Sequence, residues 1–222
     1  MNLTVIRNII LISLLGFFCV LMVNLSLPYI HLDTNVAFLR IKQWVFRRYD
    51  STVSTIWIIA FFTHVATSIF AVIAGFTQFF KTLLYKKIHR WMGKLYVFSV
   101  LLFTATSGLI MSFFANGGWT SIIAFTLLSI LWWYSTYKAF RSVLNKEYSE
   151  HGKWMIRSYA LTLSAITLRL WKYAYANYID PDMDFLHPMD LYRIVAWAGW
   201  VPNLIFAEFL IRRKVHLKML KR

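Results

Sequence analysis

VSTIWIIAFFTHVATSIFAVIAGFT, residues Val53–Thr77, contains no Asp, Glu, Lys or Arg, and its one ionisable side chain is His64. A helix crosses the hydrocarbon core of a bilayer with about 20 apolar residues, so this stretch is long enough to span. Its composition recurs along the chain, and the apolar blocks fall at about Ile9–Leu27, Val53–Thr77, Leu95–Phe114, Trp119–Phe140, Ile156–Ala176 and Leu191–Ile211. The whole chain of 222 residues is 59% hydrophobic and 15% charged, with mean hydropathy +0.56. A soluble domain carries about 25% charged residues. The expectation is an all-α, polytopic membrane bundle: one integral membrane domain over residues 1–222, with six transmembrane helices and short loops.

The formal net charge is +15, and its placement speaks against nucleic acid as a partner. Basic residues gather at Lys81, Lys86, Lys87, Arg90 and Lys94, at Lys138, Arg141, Lys146, Lys153 and Arg157, and from Arg212 to Arg222. The turn near Asn116–Gly118 has none, and the loop Asp180–Asp190 is acidic. Basic ends on alternate loops follow the positive-inside rule. They predict a multi-pass protein of the cell (inner) membrane with both termini cytoplasmic and anionic lipid headgroups against the basic loops. Arg40, Lys42, Arg47 and Arg48 fall on the opposite side and are outvoted. The apolar N-terminus is too long for a signal peptide and lacks a small-residue cleavage pattern, so it is expected to stay as a first helix. Cys19 is the only cysteine. Any metal or haem would therefore rest on histidine.

Trp-Met-x-(Lys/Arg)-x-Tyr occurs twice, at Trp91–Tyr96 and Trp154–Tyr159, each time just after a histidine, His89 or His151. Each copy sits where a helix re-enters the membrane from a basic loop. This suggests an internal repeat of two hairpins, although the histidines are offset by one residue. Membrane interfaces concentrate Trp, Tyr, Lys and Arg in any case.

Polar residues inside spans face the bundle interior. His64, Ser68, Ala71, Gly75 and Gln78 share one face of the second span at helical spacing. Ser158, Thr162, Ala165 and Arg169 do so on the fifth, and the stripe extends back to His151. Thr104, Ser107, Gly108 and Met111 make a shorter one on the third. The rise of about 1.5 Å per residue puts His64 near the midplane and Arg169 at a similar depth, with no acid beside them. A ligand supplying a carboxylate, a haem propionate or a quinone oxygen would complete such a site, with Gln78 and Arg157 as further ligand-binding candidates. His89 and His151, with His64 as a third candidate, are the residues that would hold one b-type haem or one divalent metal.

"AGFTQF" (Ala74–Phe79), "HRWMGKLYV" (His89–Val97), "HGKWMIRSYAL" (His151–Leu161) and "ITLR" (Ile166–Arg169) resemble the bacterial membrane family called domain of unknown function (DUF) 2306. The resemblance runs from about Thr52 to Arg213 and implies a multi-pass membrane protein without a settled activity. A weaker likeness is to six-helix b-type cytochromes, but the fourth and sixth spans lack the histidines two haems would need. Three functions fit the residues. The leading one is a haem- or metal-binding redox protein using histidines near the cytoplasmic face, exchanging electrons with a quinone. The alternatives are binding or transport of a small anion or lipid-like ligand at His64 and Arg169, and a non-catalytic assembly factor for a larger membrane complex.

Overall fold

The computed structural model describes residues 3–29, 37–79, 86–179 and 185–220, and every regular element among them is helical. His31 and Lys81 lie outside the described residues. The long helices are α1 (Leu3–Ser26), α4 (Ser51–Thr77) and α7 (Trp119–Leu144). Between the first two lie the short α2 (Ala37–Ile41) and α3 (Gln43–Arg48). Three further rods are each broken near the middle. α5 (Lys87–Phe98) passes through a π-helical turn, Ser99–Thr104, into α6 (Ala105–Ser112). α8 (Tyr148–Thr162) and α9 (Ser164–Ala174) are divided at Leu163. α10 (Pro188–Ala198) and α11 (Val201–Arg212) are divided at Gly199–Trp200, and α12 (Val215–Leu220) follows.

Among the described residues, three rods are long and apolar enough to cross a membrane: Ser51–Thr77, Lys87–Ser112 and Pro188–Arg212. The expectation of six is thus met for three. α7 and α8–α9 have the length but spend it differently. α7 buries Ser121, Ser129, Ser135, Thr136 and Ser142 among its neighbours, and α8 opens with Glu150, His151 and Lys153. Hydroxyls turned inward bond to other helices and lower hydropathy without touching lipid.

Local chemistry explains the element ends. Asp50 caps α4, its carboxylate accepting from the Val53 N–H at 2.9 Å, a contact worth about 1 kcal/mol. α7 ends with Lys146 in the left-handed region (φ 62°) and the Glu147 N–H bonded back to the Ser142 carbonyl, the Schellman arrangement. His187 caps α10 through Nδ1, 3.2 Å from the Met189 N–H, ahead of Pro188. Pro202 accounts for the break before α11, because it has no N–H to offer the Ala198 carbonyl and its ring would strike that group. At the break before α9, the Thr162 hydroxyl bonds back to the Ser158 carbonyl at 3.0 Å, a contact that bends helices.

The core lies where α4, α5, α7 and α8 meet, and the doubled motif closes it. Tyr96 and Tyr159 are both buried, and both rings lie against Gly75 of α4. The Tyr96 hydroxyl bonds Ser158 at 2.6 Å and Thr162 at 2.8 Å, and Thr136 bonds Ser158 at 2.6 Å. Tyr159 instead donates to the Val72 carbonyl at 3.3 Å. The two tyrosines are core residues rather than interface anchors, and their different partners do not require a repeat. Their tryptophans also diverge. Trp91 is 74% exposed, whereas Trp154 lies edge-on to Tyr134 with the Arg157 guanidinium 4.5 Å from its ring centre.

A candidate ligand cavity between the broken helices

A cavity of about 400 Å³ opens between α1, α4, α6, α7, α9 and α10, in the size range of small-molecule sites. His64 is the central residue of α4, and Arg169 reaches the same cavity from α9. Lys42 and Lys172 join them at one end, beside Tyr29 and Tyr192, while Val65, Val72, Leu128 and Trp132 supply apolar wall. No Asp or Glu lines it among the described residues.

Each polar group is held by the fold. In the π turn, hydroxyls and one indole take up the carbonyls that the wide turn leaves over: Thr104 Oγ1 donates to the Ser99 carbonyl at 2.9 Å, and Trp133 Nε1 to that of Leu101 at 3.2 Å. The Thr104 carbonyl accepts from His64 Nδ1, 2.8 Å away, and from Ser107 Oγ at 3.1 Å. Gly108 makes room for the ring, since a Cβ there would sit 3.1 Å from His64 Cε1. Arg169 donates to the Ala165 carbonyl at 3.0 Å and contacts Met22 Sδ at 3.7 Å. It makes no ion pair among the described residues. A guanidinium has five N–H donors, so several remain for another acceptor.

Lys42 is the residue the sequence did not single out for this site. It sits between α2 and α3, outside the apolar spans, and is buried. Its ammonium donates to the Phe114 carbonyl and, at 3.0 Å, to Asn116 Oδ1, which also accepts from Trp44 Nε1 at 3.1 Å. Burial pushes its pKa from 10.5 down to about 8. Trp57 and Trp200 also line the cavity, and their buried indole N–H groups find no acceptor among the described residues. A buried donor without a partner costs about 1–3 kcal/mol. Signals for these groups were thin, because a loop lysine and two tryptophans in apolar runs look like ordinary membrane-protein composition.

The other site residues are elsewhere. Gln78 lies against α5, where Gly93 leaves space for its amide. With its NH2 toward His89, the amide donates to His89 Nδ1 at 3.2 Å and accepts from the Gly93 N–H at 3.1 Å. Arg157 pairs with Glu208 of α11, Nε to Oε1 at 2.5 Å and Nη2 to Oε2 at 3.0 Å. His151 Nδ1 bonds the Ala139 carbonyl at 2.8 Å. His89 and His151 belong to the same end of the bundle, near enough for the charge of one to act on the other. Two imidazoles without further donors make a poor divalent-metal site. Among the described residues no group of three or more His, Cys, Asp or Glu could hold a metal ion. His89 also fits a haem poorly as it stands, because its Nδ1 lone pair is taken by Gln78 and its hydrogen must sit on Nε2.

Fold and cavity together define an all-helical membrane protein with a cationic, largely apolar chamber among its helices. Residues 61–211 match the family described as "Predicted membrane protein (DUF2306)", and the chain belongs to that family. The match takes in His64, Gln78, His89, His151, Arg157 and Arg169 but not Lys42. Among curated proteins and solved structures, none matches the chain, and the likeness to b-type cytochromes is not shown.

Proposed function

We propose that the protein binds an amphipathic anion, a lipid-like molecule with an acidic head, in the cavity between His64 and Arg169. Arg169 carries the reading: it is a guanidinium in an apolar chamber with two lysines nearby and no acid among the described residues. Lys42 at the same end is a buried cation with no acid partner among the described residues, an arrangement that is costly, and a ligand head at the cationic end removes that cost while its tail takes the apolar wall. The test is ligand-induced thermal stabilisation of the purified protein with a fatty acid as probe. Wild type gains melting temperature on addition and Arg169→Ala does not. An equal gain in both counts against the site.

The basic residues of the Lys86–Arg90, Lys138–Lys153 and Arg212–Lys214 regions support six crossings of the cell membrane, with this end cytoplasmic beside anionic headgroups and the Lys42 end outside. Cysteine accessibility at the two ends would test the orientation.

A second reading keeps one haem at His89 and His151, serving redox exchange with a quinone. His151 favours it, because an Nδ1–H bonded to a carbonyl leaves Nε2 with its lone pair, the usual state of a ligating imidazole. His89 would have to exchange Gln78 for iron. A haem absorption band that shifts on reduction would support this reading, and a colourless preparation from haem-replete cells would dismiss it. An assembly role would show as partner subunits retained in mild detergent.

A further inference from the structure

The cavity holds an acceptor as well as its cations. His64 Nδ1 lies 2.8 Å from the Thr104 carbonyl. A carbonyl oxygen only accepts, so Nδ1 carries the ring hydrogen and Nε2 of the neutral imidazole carries a lone pair. Nδ1 and Cε1 are the ring atoms nearest a Cβ at Gly108, and His64 lines the cavity. Nε2 has no hydrogen-bond partner among the described residues. Arg169 lines the same cavity, close enough for its charge to act on the His64 ring. One side chain therefore offers only hydrogens and the other a lone pair. A bare anion satisfies Arg169 but faces an unprotonated nitrogen at His64. A neutral ester can accept from Arg169 but brings neither a charge nor a proton for His64. An acid that brings one proton with its charge satisfies both.

We infer that the ligand head is a carboxylic acid or a phosphate monoester, and that the bound state holds one proton between its oxygen and His64 Nε2 while a second oxygen faces Arg169. This rests on the cavity being an amphipathic-anion site. On binding, the acid O–H bond gives way to an Nε2–H bond. The ligand is left as the anion and His64 as the imidazolium, with the guanidinium opposite, and no other reactant is consumed. Above the ligand's own pKa the proton comes from solution, so one proton is taken up for each anion bound.

The experiment uses the full chain in lipid nanodiscs with dodecanoate and its methyl ester as probes, binding being followed between pH 7 and 9. In wild type, one linked proton makes affinity fall about tenfold per pH unit. His64→Gln keeps an amide to donate to the Thr104 carbonyl and an oxygen facing the cavity, but cannot take the proton. It is expected to bind dodecanoate with that pH dependence removed, while the ester binds neither protein. A second measurement needs no variant: in weak buffer at pH 8, an indicator dye should report one proton taken up per dodecanoate bound to wild type. Equal pH slopes in wild type and His64→Gln, or no proton uptake, overturn the proton link and leave the anion site standing. If dodecanoate binds wild type at no pH, the anion site falls, and this inference with it.

Discussion

Gly75→Ala tests the helix arrangement beneath the cavity more sharply than any change at the cavity itself. A Cβ at Gly75 would lie 2.6 Å from Tyr159 Cδ2, 2.7 Å from its Cε2 and 2.8 Å from Tyr96 Cε2. Carbons in ordinary contact sit about 3.5–4.0 Å apart, so both rings must withdraw by about 1 Å. Neither is free to do so. Tyr96 is tied to Ser158 and Thr162, and Tyr159 to the Val72 carbonyl. The displacement must therefore pass into α5 and α8 as a separation from α4. Overpacking of this kind costs about 1–3 kcal/mol, and alanine returns about 1 kcal/mol of helix propensity. The net loss is up to about 2 kcal/mol, and the melting temperature in detergent falls by about 2–4 °C for each kcal/mol lost. Gly16→Ala on α1 is the control, since nothing among the described residues lies within 4 Å of a Cβ there, and it should leave stability unchanged or slightly raised. If Gly75→Ala melts with or above wild type, as the control does, the convergence of the two tyrosines on α4 is wrong.

Three further outcomes follow from named contacts. In Gly108→Ala the new methyl sits 3.1 Å from His64 Cε1 and 3.4 Å from Ser129 Oγ, so the ring must yield by a few tenths of an ångström; probe affinity should fall several-fold with little change in melting temperature, and unchanged affinity would show that the ring position does not matter to binding. Lys42 has its pKa lowered from 10.5 to about 8, so between those values the unfolded chain binds more protons than the folded one. Stability should therefore rise with pH across that window, by at most about 3 kcal/mol, and Lys42→Gln should lack the rise when unfolding is followed from pH 7.5 to 10. Arg157 and Glu208 are 21% and 41% exposed, which screens their pairing; a double-mutant cycle with Arg157→Gln and Glu208→Gln should give a coupling of about 0.5–1 kcal/mol, and additive effects would mean that the bidentate contact does not persist in the membrane.

What could be read from the chain was periodicity and depth. His64 and Arg169 were recognisable because each is an ionisable residue on a small, polar helical face, and such a face has to turn inward whatever the tertiary detail. Gln78 sits on the same face as His64 yet serves another site. It lies just past the end of α4, where the chain is already turning, and helical spacing no longer says what it meets. Arg157 meets Glu208, 51 residues away, a separation on which local pattern is silent. Lys42 depended on how α2 and α3 fold back over the bundle, and short helices with no strong apolar stripe leave no mark that fixes their direction. The tyrosines of the doubled motif have a composition around them that membrane interface and core share. Only the close approach to Gly75 separates the two cases.

The broken helices bear on function more directly than any single residue. Within hydrocarbon, backbone groups released from a helix have no water to turn to, so irregular turns persist only where protein or a cavity satisfies them. Here three rods are interrupted, at Ser99–Thr104, Leu163 and Gly199–Trp200, and all three interruptions adjoin the cavity. Gly199 and Trp200 line it, as do Thr162 and Ser164 on either side of Leu163, and the π turn delivers the Thr104 carbonyl to His64. α4 and α7, which run unbroken beside them, carry the tight packing at Gly75 and the buried hydroxyls. If the breaks were accidents of packing they would be scattered along the bundle. Gathered round one chamber whose cations have no acid among the described residues, they are better explained by a ligand, as in transporters that bind substrates at interrupted helices near the midplane.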